Sequence, residues 1–431
     1  MHRLLVITIL LLASACASTE DRDERLRPPD RLDEVSVIGV PQLAEQSPEI
    51  ATPQLYPGEE EGRLPILTLG SGDQLTLRFD LLADAGRPLS VFFYHADREW
   101  RRDLSPGEYL STFHRDQLLD YRPSEATEVR YQHFVYRFPN ESITFRVSGN
   151  YILRVTEQGI EDDVLFEMPF FITEQSVAAE MMTDNVLMAG SGFTGVQPTL
   201  LFRPERGQGA SPTDFSTCFV RNGRFSEGRC ATRPSLIEAP MLRFYLPPDA
   251  AFRAEGADYF LDLGLLQVGQ QIEDIDYGAS PFRVTLSPDY AHFGGTGLAP
   301  LQYGRPVVQS AVRDRAVPAL QSEYLDVQFA LVPGNEVPYM GEVYVIGAFN
   351  AWTPTDGFKL SWNAERRRYE GSGLVKQGAY EYRYWSRDAR LNRALNESAP
   401  RPQNTYQAFI YYDDISVGTD RLLTVSGISA R

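Results

Sequence analysis

Lysine is almost missing from this chain: of 41 basic residues only Lys359 and Lys376 are lysines, and the rest are arginines. The positive charge therefore sits on planar guanidinium groups, which grip carboxylates bidentately and stack on aromatic rings; a biased genome composition accounts for the pattern equally well. Acidic residues number 58, and the net charge of −17 opposes binding to nucleic acid or to anionic lipid headgroups. Cysteine is scarce too, with three in all. They form no CxxC motif and no Cys/His array at metal spacing, which excludes a dedicated zinc site. Long apolar runs are missing: no segment reaches the roughly 20 residues of a membrane-spanning helix. There is no serine elbow, no HExxH helix and no Asp-x-Asp-x-Asp-Gly calcium loop. The run "GGTGLAP" (294–300) ends in Pro300 with no helix after it, and it reads as a turn, not a dinucleotide loop. No cofactor and no metal are expected.

What is present at the amino terminus is an export signal. His2 and Arg3 precede an apolar run over 4–13, then Ser14, Ala15 and Cys16. The small residues Ala13, Ser14 and Ala15 before a cysteine resemble a bacterial lipobox, which implies acylation of Cys16. The other reading is an ordinary cleaved signal with an incidental cysteine. Residues 17–35 are charged or small, include Pro28 and Pro29, and lack hydrophobic periodicity. They read as a disordered tether that spans at most roughly 65 Å when extended.

Strand signals dominate the remainder, and the fold class read from them is all-β, with tandem immunoglobulin-like or early-set sandwiches. Leu75, Leu77, Phe79 and Leu81 alternate with polar partners, and "LSVFFYHA", "YQHFVYRF", "YILRV" and "VLFEMPFFI" repeat the theme. Three units are expected: 36–175, 176–315 and 322–431. Within the first, the 105–128 connection is expected to carry a short helix and is long enough to have a role of its own. In the second, the turn at Asn222 and Gly223 folds Cys218 toward Cys230; in an exported chain a disulfide is the expected state, with reduced thiols as the alternative.

The stretch 75–174 carries "LTLRFDLL", "YHADREW", "SPGEYL", "LDYRPSEAT", "YQHFVYRFPNE" and "SGNYILRV", ending in "FFIT". In order and spacing it resembles the amino-terminal domain of the plug proteins of the Bacteroidetes type IX secretion system. "VYVIGAFNAW", "VKQGAYEYRYW" and "TYQAFIYYDD" resemble the carboxy-terminal part of the same family. Where that family commonly has His-Cys-Asn-Ala-Asp-Trp, this chain has Tyr94, His95, Ala96, Asp97, Arg98, Glu99 and Trp100. The resemblance implies a non-catalytic periplasmic protein, held to the outer membrane by lipid, that docks on the mouth of the outer-membrane translocon barrel and closes it. The 105–128 connection is then the expected docking surface.

Two other readings are weighed beside it. Gly347, Phe349, Asn350 and Trp352, with Lys376, Gln377, Gly378 and Tyr380, also resemble glycogen-binding early-set domains. On that reading Trp352 and Trp385 stack on sugar rings or on a partner; otherwise they pack the sandwich. For hydrolysis, His95 and Asp97 stand two apart on a strand and so share a side, with His114 and His133 in the same unit. No nucleophile accompanies them, and structural histidines are the simpler reading. Acidic pairs such as Asp413 and Asp414, or Glu161 to Asp163, read as solvated loops.

Overall fold

The computed structural model describes residues 35–37, 43–188, 194–204, 211–253, 258–269, 271–291, 305–308, 317–396 and 404–430. Cys16, the tether up to residue 34 and the 294–300 turn lie outside the described residues.

Strand β1 (Val35–Val37) precedes a first sandwich made of β2 (Ile50–Pro57), β3 (Ile66–Thr68), β4 (Leu75–Leu81), β5 (Leu89–Ala96), β6 (Arg115–Leu118), β7 (Tyr121–Pro123), β8 (Gln132–Phe138), β9 (Gly149–Glu157) and β10 (Val164–Thr173). Its sheets run β3-β10-β9-β5-β6 and β2-β4-β8-β7. The period-two pattern of β4 places Leu75, Leu77, Phe79 and Leu81 on the inner face, where they meet Phe93, Phe134 and Phe170 in one buried core.

The chain then lays down β11 (Ala179–Leu187), β12 (Thr194–Phe202), β13 (Phe215–Arg221), β14 (Arg224–Ala231), β15 (Leu236–Glu238), β16 (Met241–Tyr245) and β17 (Phe252–Arg253). It leaves to build another sandwich from β18 (Tyr259–Asp262), β19 (Ile272–Asp276), β20 (Arg283–Leu286), β21 (Asp289–Tyr290), β22 (Val307–Val308), β23 (Tyr324–Val332), β24 (Val343–Gly347), β25 (Lys359–Asn363), β26 (Arg368–Lys376) and β27 (Gly378–Trp385). It returns as β28 (Asn404–Asp414) and β29 (Thr419–Ala430). Short helices punctuate the described residues: α1 (Pro106–Tyr109), α2 (Pro318–Gln321) and α3 (Ala389–Asn396).

The fold class is all-β, but the strand pairing departs from the expected division at 176–315 and 322–431. Strands β28 and β29 pair with β13, in the order β1-β14-β13-β28-β29, and this sheet covers a second one ordered β11-β12-β16-β15. Tyr406, Ala408, Ile410 and Leu423 from the returning strands fill the second core beside Leu200, Phe219 and Phe244. The third sandwich, 258–396, is therefore an insertion inside the second. Its strands run β18-β27-β24-β25-β26-β23-β20-β19, with β25 bridging the two halves around a core of its own. Alternation marks a strand's inner face but names no partner, so the sequence assigned the last two strands to their nearest neighbours. Val35, expected at the end of the tether, lies in β1 and pairs with Ala231.

Candidate functional site

The 105–128 connection is built, not loose. Glu108 Oε2 accepts hydrogen bonds from both the backbone N–H and the hydroxyl of Ser105, at 2.7 Å each, which closes the first turn of α1. Tyr109 is buried and its hydroxyl donates to the Phe93 carbonyl at 2.6 Å. Strand β6 then forms an edge beside β5, and β7 an edge beside β8. Between these fixed points Phe113 is 69% exposed and Leu119 59% exposed. The far end of the connection is already occupied: Glu125 N–H donates to the Leu320 carbonyl at 2.8 Å, and Glu128 N–H to Glu323 Oε2 at 3.0 Å. Of the large apolar side chains in this connection, Phe113 and Leu119 are the two that are exposed.

Where the first sandwich meets the third, one of the two lysines is buried. Lys376 Nζ lies 2.5 Å from Asp80 Oδ2, and both side chains are 1% exposed. Asp80 Oδ2 also accepts from the Tyr324 hydroxyl at 2.7 Å, and Asp80 Oδ1 from His133 Nδ1 at 2.7 Å. A bulge in β2 turns Thr52 toward Tyr324, hydroxyl to hydroxyl at 2.9 Å. Lys376 Nζ stands 4.2 Å from the Tyr131 ring centre and donates to the Ala319 carbonyl at 3.0 Å. Burial pushes the Asp80 carboxyl up, but the Lys376 charge and the His133 hydrogen bond outweigh it and hold the carboxyl below its ordinary range. Burial pulls Lys376 the other way, against the opposing pull of Asp80. With a carboxylate in contact and an aromatic face beside it, we read the pair as ionised.

The seam between the first and second sandwiches is apolar. Ala96, Trp100, Ile152 and Phe171 pack with Val220, Phe409, Tyr411 and Leu422 in one buried cluster, and the Cys218–Cys230 disulfide lies within it, bridging β13 and β14. Polar contacts rim this cluster. The Tyr411 hydroxyl donates to Asn150 Oδ1 at 2.8 Å, Arg98 Nη1 to Asp420 Oδ1 at 3.0 Å, and Arg421 Nε to Glu174 Oε1 at 2.7 Å.

His95 and Asp97 are not brought together as a catalytic pair. His95 Nδ1 lies 2.7 Å from Asp103 Oδ1, whose other oxygen accepts from the Thr419 hydroxyl; His95 Nε2 lies 3.2 Å from the Ser148 carbonyl. Gly149 is needed beside it, because a Cβ there would sit 2.5 Å from His95 Nε2 and its φ is +147°. Asp97 falls just past the end of β5. Its carboxylate caps the following turn by accepting the backbone N–H groups of Glu99 and Arg101 at 2.9 Å each, and Trp100 takes a φ of 64° there. His114 rests against Phe92, with ring centres 5.7 Å apart.

The second and third sandwiches meet through charge. Arg224 pairs with Asp258 across the seam, and Arg383 Nη1 reaches back to Glu227 Oε1 at 3.5 Å. Within the third sandwich Arg383 Nε donates to Asp258 Oδ1 at 2.8 Å, and within the second Arg221 Nη2 donates to Glu227 Oε2 at 2.7 Å. Burial, with Arg383 adding repulsion, pulls Arg224 down to about 9. Burial raises Glu227, yet Arg221, Arg383 and Arg224 together depress it strongly. Trp352 belongs to this seam, with the Arg224 guanidinium 4.2 Å from its ring centre. Trp385 is half-buried edge-on to Tyr344, ring centres 6.0 Å apart. Each ring is engaged separately, and the Arg224 guanidinium lies against the Trp352 ring. Among the described residues no group of three or more His, Cys, Asp or Glu is placed to hold a metal, and no helix is long and apolar enough to cross a membrane.

Sequence reasoning missed Asp80, Tyr324, Arg224 and Asp258. Lys376 carried a usable signal, since a chain that uses arginine almost everywhere keeps lysine where a compact ammonium is wanted.

Residues 50–174 match the family model described as the type 9 secretion system plug protein 1st domain. The match spans the first sandwich from β2 to the residue after β10. No curated protein matches the chain. Among solved structures it is similar to the crystal structure of a hypothetical protein from Parabacteroides merdae ATCC 43184, with a TM-score of 0.79 and 23% identity over 89% of this chain and 98% of that one. At that identity the likeness is one of fold.

Proposed function

We propose that the chain is a non-catalytic plug subunit of a type 9 secretion system, a body that closes the periplasmic end of the outer-membrane translocon while no substrate passes. The observation that carries the reading is the match of residues 50–174 to the first plug domain, over a stretch that is one complete sandwich with its own core. A wide aqueous channel leaks unless something bulky fills its mouth, and sandwiches joined by buried seams supply steric bulk. The histidines His95 and His133 are spent on carboxylates inside seams, which favours a structural role over turnover. In this reading Cys16 carries lipid that holds the protein to the outer membrane. The docking contact is the exposed apolar pair Phe113 and Leu119 beside the edge strand β6.

The test is affinity purification of the tagged full-length protein from its native envelope. Recovery of an outer-membrane barrel component is expected, and a preparation without one sinks the function. Phe113→Asp combined with Leu119→Asp should reduce that recovery several-fold while leaving the fold intact; undiminished recovery would discard the docking surface alone. Cys16→Ser should move the protein from the membrane to the soluble fraction.

A further inference from the structure

The four hydrophobic clusters among the described residues divide the molecule unevenly. One belongs to each sandwich, and the fourth crosses from the first sandwich to the second. None crosses to the third. That sandwich touches the first through the Asp80, Lys376, Tyr324 and Tyr131 group and, beside it, through hydrogen bonds of Glu125 to Leu320 and of Glu128 to Glu323 and Phe282. It touches the second through the Arg224–Asp258 and Arg383–Glu227 ion pairs. It is also an insertion, entered after Arg253 and left before Asn404.

We infer that the third sandwich is a releasable module, latched to a permanent unit made of the first two by the Asp80–Lys376 contact. The physical asymmetry lies in what water does to each seam. Opening the apolar seam exposes Phe171, Phe409, Val220 and Leu422 to solvent with nothing in return. Opening the polar seams rehydrates the carboxylates of Asp80, Glu227 and Asp258 and the cations of Lys376, Arg224 and Arg383, and that recovered solvation offsets most of the lost attraction. Motion between domains is the ordinary expectation unless the interface is large and hydrophobic. Among the described residues one interface is built on a hydrophobic cluster and the others are not. Asp80 acts as the centre of the latch because one carboxylate from the first sandwich receives both Lys376 and Tyr324 from the third. For a protein that obstructs a conduit, such a joint permits a change of outline with no unfolding.

The test uses the full chain with Cys16→Ser, so that spin labels attach only at introduced cysteines. Labels at Ser71→Cys and Asn335→Cys report the first sandwich against the third; labels at Ser71→Cys and Asp249→Cys report the first against the second. Pulsed dipolar spectroscopy should give narrow distances for both pairs in the parent protein. Lys376→Met should add a longer, broad distance to the first pair only, and the milder Tyr324→Phe should do the same at lower population. Asp80→Leu with Lys376→Met, which replaces the ions by apolar groups, should restore the narrow distance. An unchanged first pair in both single variants overturns the inference, as does simultaneous broadening of both pairs, which would mean that the three sandwiches open as one.

Discussion

The first and second sandwiches are joined by hydrocarbon, whereas the third is joined to both by ions. In the first seam Phe171 lies 4.8 Å from Phe409 and 4.9 Å from Phe225, ring centre to ring centre, with a disulfide in the same cluster. In the others a lysine, three arginines and three carboxylates meet, several of them almost wholly buried. An apolar seam is tolerant of detail and adds stability in proportion to area. A buried ionic seam adds little net stability, because desolvation nearly cancels attraction, but it punishes any wrong partner severely. The contrast teaches that the third sandwich is held by specificity of fit and the first two by bulk cohesion.

The sharpest way to break that comparison is Lys376→Met, which strands Asp80 without its cation. A loss of about 4 kcal/mol is expected. Calorimetry should show it confined to the transition of the third sandwich and its junction; an equal loss across the whole molecule would merge the two kinds of seam. Next in size is Leu422→Ala in the apolar seam, where the side chain is fully buried. Here about 3 kcal/mol should be lost, from the first two sandwiches together, as read in denaturant titration.

A control inside the third core comes next. Asp289 Oδ2 accepts the hydroxyls of Tyr382 and Tyr384, at 2.6 and 2.7 Å, yet burial raises its carboxyl to about 6. A carboxyl raised on folding stabilises the native state below its ordinary value and loses that contribution as pH climbs through about 6. Asp289→Asn keeps an acceptor for the tyrosines and removes the charge. It should gain about 3 kcal/mol at pH 7.5 and nothing near pH 4, by thermal melts at both. A gain at both pH values would mean that Asp289 is not ionising there. The smallest expected effect is Trp352→Ala, which takes one aromatic face from Arg224 at the second polar seam and should cost about 1 kcal/mol. A larger loss in the melting of the second and third sandwiches would show that this seam draws on apolar packing after all.

Much of this was readable in the chain itself. Alternation at Leu75, Leu77, Phe79 and Leu81 announced a strand with one inner face, and the Cys218 to Cys230 spacing around Asn222 and Gly223 announced a hairpin. The placing of His95 and Asp97 on one strand face failed for a local reason: β5 ends at Ala96, and the turn that follows re-aims the aspartate at nearby backbone N–H groups. The 105–128 connection was legible as long and as the place of a short helix, which is α1, though not as two edge strands, because three- and four-residue strands carry too little pattern to register.

Composition and periodicity by themselves determined an all-β, acidic chain, because these depend only on which residues stand next to one another. Which strand returns to which sheet was decided in three dimensions: Phe409 pairs with Cys218 across the inserted third sandwich. The partner of Lys376 was decided there too, 296 positions away at Asp80. Both follow from the closure of apolar faces and the desolvation of charge. Those energies exist only once distant segments have met.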